Sequence, residues 1–129
     1  MERDVSVIED RPIRIALLGC GRISERHIDA ITSNEDLELV AVCDEVSDRA
    51  RAAGEKADVP FFTSYEKMLD ASTVDAVAIC TPSGMHPRQG IIAAKRGLHV
   101  ISEKPMATRL EEADALVKAC DEAGVHLFV

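Results

Sequence analysis

Ile13-Arg14-Ile15-Ala16-Leu17-Leu18-Gly19-Cys20-Gly21-Arg22-Ile23-Ser24 is the stretch that decides the fold. Its first half is a short apolar run of buried-strand length. It leads directly into two closely spaced glycines. The following residues place Ile23, His27, Ile28 and Ile31 on one helical face. Strand, glycine turn and helix start are the parts of a dinucleotide site, in the order such a site needs. Gly19 permits the tight turn, and Gly21 lets backbone approach a pyrophosphate. The helix start, with Arg22, Ile23 and Ser24, offers free N–H groups and partial positive charge to the phosphates. Ser24 stands where a third glycine is usual, a position that requires a small residue for helix–strand packing. Arg22 is read either as a pyrophosphate partner or as a solvated arginine at a helix start.

A second mark lies about twenty residues further on, where this type of site places an acid at the end of the next strand. Leu37 to Cys43 reads as that strand and Asp44 closes it. A carboxylate there accepts hydrogen bonds from both hydroxyls of an adenosine ribose and repels a 2′-phosphate. The expected cofactor is therefore NAD over NADP, although Arg49 is near enough to meet a 2′-phosphate. The competing reading of Asp44 is a helix cap in a strand–helix loop.

Composition narrows the class. The chain has 129 residues, enough for one domain with a substantial core, and a net charge of −8. That charge argues against nonspecific binding to nucleic acid or anionic membranes. No apolar run reaches membrane-span length, and Met1 to Pro12, read as an N-terminal arm, lacks a signal peptide's apolar core. Cys20, Cys43, Cys80 and Cys120 form no C-x-x-C pair, and the four histidines are dispersed. No metal is expected. The cysteines read as packed, reduced thiols of a cytoplasmic protein.

Strand and helix signals alternate from residue 13 to residue 129, so the fold class is α/β, a doubly wound parallel sheet of order 3-2-1-4-5-6. Expected strands are 13–18, 37–43, 60–63, 74–80, 99–102 and 125–129. Expected helices are 22–32, 48–57, 65–70, 87–96 and one following Thr108. Ser47 and Ser64 read as N-caps, and Gly97 and Gly124 as helix ends. Thr108 with Glu111 reads as a capping box. Leu110, Ala113, Leu116, Val117 and Cys120 read as the last helix's apolar stripe. A chain that stops in its sixth strand reads as the first domain of a longer two-domain protein.

Ligands of an open parallel sheet bind beyond the C-terminal ends of its strands. That rule gathers Gly19 to Ser24, Asp44, Thr81 to Pro87, and Glu103 to Pro105 around one crevice. G-C-G-R-I-S after strand one, C-T-P-S-G-M-H-P after strand four and S-E-K-P after strand five together resemble the Gfo/Idh/MocA oxidoreductases, over Arg14 to Val129. The E-K-P element is the most specific part. The resemblance implies NAD(P)-dependent oxidation or reduction of a secondary alcohol on a sugar, cyclitol or sugar derivative. It implies a second domain that supplies the substrate pocket, an acid/base and an oligomer interface. By position, Lys104 matches the family lysine near the nicotinamide and the reacting hydroxyl. An ammonium there can stabilise charge developing on oxygen during hydride transfer. Taken alone, Lys104 also reads as a surface lysine before a turn. Glu103 matches the family acid that orients the cofactor or the lysine, and Pro105 a proline that is often cis.

Thr81, Pro82, Ser83 and His86 match the loop passing the pyrophosphate and nicotinamide ribose. Ser83 stands where many members have asparagine. His86 is read either as a cofactor contact or as a cap of the following helix. The loop looks most like that of members acting on nucleotide-linked sugars in surface-polysaccharide (lipopolysaccharide) synthesis, which would oxidise a ring hydroxyl at C3. A non-catalytic NAD-sensing module of the same family is the alternative, against which Lys104 argues. An S-adenosylmethionine methyltransferase shares the glycine turn and the strand-two acid but not E-K-P. The chain alone is expected to bind NAD and turn over nothing.

Overall fold

The computed structural model describes residues 8–129, so positions 1–7 of the expected arm lie outside the described residues. In chain order the elements are β1 (Ile13–Leu18), α1 (Ser24–Thr32), β2 (Leu37–Cys43), α2 (Ser47–Ala57), β3 (Phe61–Phe62), α3 (Tyr65–Ala71), β4 (Ala76–Ile79), α4 (His86–Lys95), β5 (His99–Ser102), α5 (Leu110–Ala123) and β6 (Leu127–Phe128). The strands form one parallel sheet of order β3-β2-β1-β4-β5-β6, as expected. The chain leaves β1 toward β2 on one side and later returns to β4 on the other. The gap between the β1 and β4 ends is thus the topological switch point.

Side-chain alternation along the strands, interrupted in β2 by a bulge at Val40, divides the core into two layers. Ala16, Leu18, Ala41, Cys43, Val77, Ile79 and Val100 face α3, α4 and α5, where they meet Met68, Ala93, Ala94 and Leu116. Ile15, Leu17, Leu39, Val42, Ala76 and Ala78 face the other way, onto Ile28 and Ile31 of α1 and Ala53 of α2. Ala16, Ala41, Ala93 and Ala94 are small, and the helices on their side lie close. Gly90 of α4 shows how close, because a methyl there would come within 2.7 Å of a Leu116 methyl.

Helix ends test the capping expectations. Ser64 caps α3, its hydroxyl accepting from the Lys67 N–H at 3.3 Å. Gly124 ends α5 in the left-handed region at φ +67°, and Gly97, just past α4, has φ +77°. Ser47 does not cap α2; it is the first helical residue, and the flanking Val46 has no side-chain oxygen to offer. Asp44 instead makes a turn just upstream of the helix, its Oδ1 accepting the Val46 N–H at 2.8 Å. The Thr108–Glu111 capping box does not form, because α5 starts a residue later and its flanking residue is Arg109. That later start also turns the stripe. Leu116 and Cys120 are buried, but Leu110 is 76% and Val117 41% exposed.

The end of the sheet remote from the switch point is tied by charge. Asp75, just before β4, receives both terminal nitrogens of Arg11 at 2.6 and 3.0 Å and the Arg14 N–H at 2.8 Å. The Arg11 bond is the main cause holding the Asp75 carboxyl well below the usual range.

Candidate functional site

The chain's backbone builds the floor of the site before any side chain contributes. Gly19 follows β1 at φ +94°, a conformation L side chains rarely adopt. A Cβ on it would lie 2.7–2.8 Å from the Cys80 carbonyl and the Thr81 nitrogen. Glycine at this position lets the β1 and β4 ends close on each other. Gly21 differs: a Cβ there would meet nothing within 4 Å, because it faces the open crevice. Among the described residues, none accepts from the amides of Gly21, Arg22 and Ile23 at the start of α1. Unpartnered amides at a helix start, beside a glycine with open space above it, fit a pyrophosphate. Ser24 is 2% exposed and its hydroxyl returns to the Gly21 carbonyl, so it packs the turn from beneath.

A cavity of about 470 Å³ opens over this floor. Gly19, Gly21, Arg22, Ile23, Asp44, Thr81 and Pro82 line it, as the strand-end rule expects. Ser83 stands in a single 3₁₀ turn, Ser83–Met85, at its margin. Met85 lines it too, within the expected Thr81–Pro87 segment, while sequence reasoning missed Glu45, Thr63, Tyr65 and Gln89. Thr63 follows β3, so the same rule would have found it. Gln89 gives no such signal: it sits in the first half of α4 and bonds the Thr81 hydroxyl, while its carbonyl receives the Tyr65 hydroxyl at 2.9 Å.

Asp44 is 8% exposed and already committed in part. Its Oδ2 accepts the Cys20 N–H and its Oδ1 the Val46 N–H, each at 2.8 Å. The acid is not the cap of α2, whose flanking residue is Val46. It ties the glycine turn to the β2 end, and each oxygen keeps a further lone pair for another donor. Around it the thiols are quiet. Burial first, then the Asp44 charge, pushes Cys20 up to about 12 and Cys43 to about 11. Cys80 rises to about 12, again mainly by burial.

His86 takes neither expected role. It is 1% exposed, with Nε2 2.6 Å from the Thr81 carbonyl and Nδ1 2.9 Å from the Pro105 carbonyl. No ring nitrogen remains for a cofactor, and none caps α4. The ring instead fastens the loop after β4 to the loop after β5. In that second loop Glu103 meets His27 of α1, Oε1 to Nε2, at 2.7 Å. The His27 bond is the chief reason the Glu103 carboxyl lies below its ordinary range, aided by the Lys104 backbone N–H and the His86 ring. The Lys104–Pro105 bond is cis, as the resemblance implied. Lys104 is exposed and lies beyond the cavity's lining, at the end of β5 beside the β4 end.

A parallel sheet with a glycine floor, helix-start amides and a strand-two acid at its switch point defines a dinucleotide-binding domain. Comparison with known proteins is specific about which kind. Residues 13–129 match the family described as "Oxidoreductase family, NAD-binding Rossmann fold" (GFO_IDH_MocA). The WlbA dehydrogenase of Bordetella pertussis, solved in complex with NADH and UDP-GlcNAcA, is 51% identical and superposes with a TM-score of 0.91. That match covers 95% of this chain and 36% of WlbA. D-apiose dehydrogenase of Paraburkholderia graminis is 39% identical over 88% of this chain and 31% of its own length. D-glucoside 3-dehydrogenase of Escherichia coli is 34% identical over 92% of this chain and 33% of its own. This chain belongs to the Gfo/Idh/MocA oxidoreductase family and is its NAD-binding domain. It spans about a third of the length of these relatives.

Proposed function

We propose that this domain holds NAD for a dehydrogenase that oxidises a secondary hydroxyl of a sugar nucleotide. The observation that carries the reading is the juxtaposition at the switch point. The phosphate floor, the ribose acid and Lys104 all stand at the C-terminal ends of neighbouring strands. NAD, when bound, supplies the hydride acceptor. Amides at Gly21, Arg22 and Ile23 would receive its phosphates, Asp44 its adenosine ribose, and the Thr81–Ser83 loop its nicotinamide half. Lys104 would donate a hydrogen bond to the reacting oxygen and stabilise the charge that develops there as hydride leaves carbon. Preference for NAD over NADP follows from Asp44 and the neighbouring Glu45, since two carboxylates at the cavity wall disfavour a 2′-phosphate.

The sugar-nucleotide assignment is supported by the 51% likeness to a protein crystallised with NADH and UDP-GlcNAcA. The C-T-P-S-G-M-H-P loop supports it independently. An acidic sugar nucleotide oxidised at a ring hydroxyl is the substrate class we infer. Its pocket and acid/base partner, and an oligomer interface, would come from a second domain. No helix among the described residues is long and apolar enough to cross a membrane.

Parallel calorimetric titrations of this chain with NADH, NADPH and S-adenosylmethionine test the reading. Tightest binding is expected for NADH. Absence of NADH binding, or tighter binding of S-adenosylmethionine, overturns it.

A further inference from the structure

Lys104 reaches out from an exposed loop, and a long lysine side chain on a loop samples many rotamers. Its use in a reaction depends on what fixes the backbone beneath it. The residues on either side of it are both anchored by histidines. On the far side, Pro105 offers its carbonyl to the buried His86. On the near side, Glu103 donates its own N–H to the Ile79 carbonyl at 3.1 Å and bonds His27 through its carboxylate. Glu103 is the residue directly before Lys104, so holding it holds the start of the lysine's loop.

The His27 contact spans 76 residues of sequence and connects two parts of the site that otherwise belong to separate strands. His27 rides on α1, one turn beyond the amides that face the phosphates. Both side chains are only partly exposed, 21% and 27%, so this pair is less screened than a surface contact. We propose that His27 is a positioning residue for Lys104. By gripping Glu103, it ties the lysine's loop to the helix that holds the cofactor's phosphates. The inference rests on the reading that Lys104 attends the reacting oxygen. His27 itself touches neither cofactor nor substrate in this scheme; its effect passes through Glu103 to the Lys104 backbone. The buried His86 sets the opposite side of the loop and stays in place when His27 is changed.

The test uses this chain with His27→Ala and His27→Gln, the glutamine keeping an N–H donor of similar reach. Hydrogen exchange without cofactor reads the grip directly. Exchange of the Glu103 amide, which bonds the Ile79 carbonyl, is expected to quicken about tenfold in His27→Ala, while amides of β4 stay as in the parent chain, and His27→Gln to recover most of the protection. Lysines carrying a ¹³C-methyl label, with Lys104→Arg for assignment, then report on the ammonium. At saturating NADH the Lys104 signal should shift in the parent chain, lose most of that shift in His27→Ala and regain it in His27→Gln. A fold-wide loosening would instead quicken β4 exchange as well. Unchanged Glu103 exchange in His27→Ala overturns the grip. Quickened exchange with an undiminished shift at saturation overturns the positioning role. A parent chain that does not respond to NADH at all overturns the cofactor reading and, with it, a catalytic use for the grip, while the exchange result still decides whether the grip exists.

Discussion

Replacing Gly19 and, separately, Gly21 by alanine adds the same methyl group two residues apart, with opposite expected results. At Gly19 the added carbon would sit 2.7–2.8 Å from backbone atoms of Cys80 and Thr81, at φ +94°. Neither neighbour is a flexible side-chain end, so the β4 end must move. The strained backbone costs about 1–3 kcal/mol and the overpacking about as much again. A loss of roughly 2–6 kcal/mol is a large part of the 5–15 kcal/mol typical of a domain. Thermal unfolding followed by circular dichroism should then shift down by roughly 10 °C or more. At Gly21 the methyl meets nothing within 4 Å, so stability should stay within about 0.5 kcal/mol. The methyl instead fills the space through which a pyrophosphate would reach the amides. Losing one charge-assisted hydrogen bond of about 1.5–3 kcal/mol weakens NADH roughly 10- to 100-fold. The chain has no tryptophan, so bound NADH can be followed by its own emission without that background. A Gly21→Ala chain that binds NADH like the parent refutes the phosphate floor. A Gly19→Ala chain that melts within a degree or two of the parent refutes the claim that the β1–β4 closure is rigid.

Asp44→Ala should weaken NAD and narrow the gap to NADP. It should also cost about 1–3 kcal/mol, because the Cys20 and Val46 amides lose their acceptor. An unchanged NAD/NADP ratio in paired titrations removes Asp44 from the ribose site. Asp75 predicts an acid limb. Its carboxyl is depressed in the folded state, so its contribution is full above the unfolded value near 4 and is lost as pH falls toward the folded value. Urea-unfolding free energies of Asp75→Asn should therefore fall less steeply than the parent's below about pH 4, and parallel curves would contradict this. The elevated thiols of Cys20, Cys43 and Cys80 predict slow reaction with a disulfide reagent near pH 8 in the native chain and rapid reaction after denaturation. Fast stoichiometric labelling of native Cys20 would show that its burial is overstated. Incubation of this chain with NAD and UDP-GlcNAcA should yield no NADH; sustained turnover would place the whole reaction within residues 1–129.

What was legible in the sequence and what was not divide along a physical line. Sheet order, switch point and the strand-end residues followed from local patterns: apolar runs of strand length, glycines at turns, and an acid at the expected spacing. Each is a property of a few consecutive residues. Thr108 and Ser47 failed as caps because a cap depends on where the helix starts to within one residue, and tertiary packing sets that register. Ser47 failed for a further reason, since the amides it would have served, those of Arg49 and Ala50, bond the Val46 carbonyl. His86 failed in a more instructive way. Its sequence context places it at the mouth of the crevice, beside Ser83 and Met85, where a ring could equally meet a ligand. Only the fold shows two carbonyls, from residues 81 and 105, closing on its two nitrogens. The His27–Glu103 contact was hidden for the same reason. Both residues had been noticed separately, one on an apolar helix face and one before the lysine, and no local rule joins them. The phosphate floor could be read residue by residue, whereas the bonds that hold it in one frame with Lys104 exist only between distant parts of the chain. The glycine turn and Asp44 could therefore be placed at the switch point from sequence, but the bonds that support them could not.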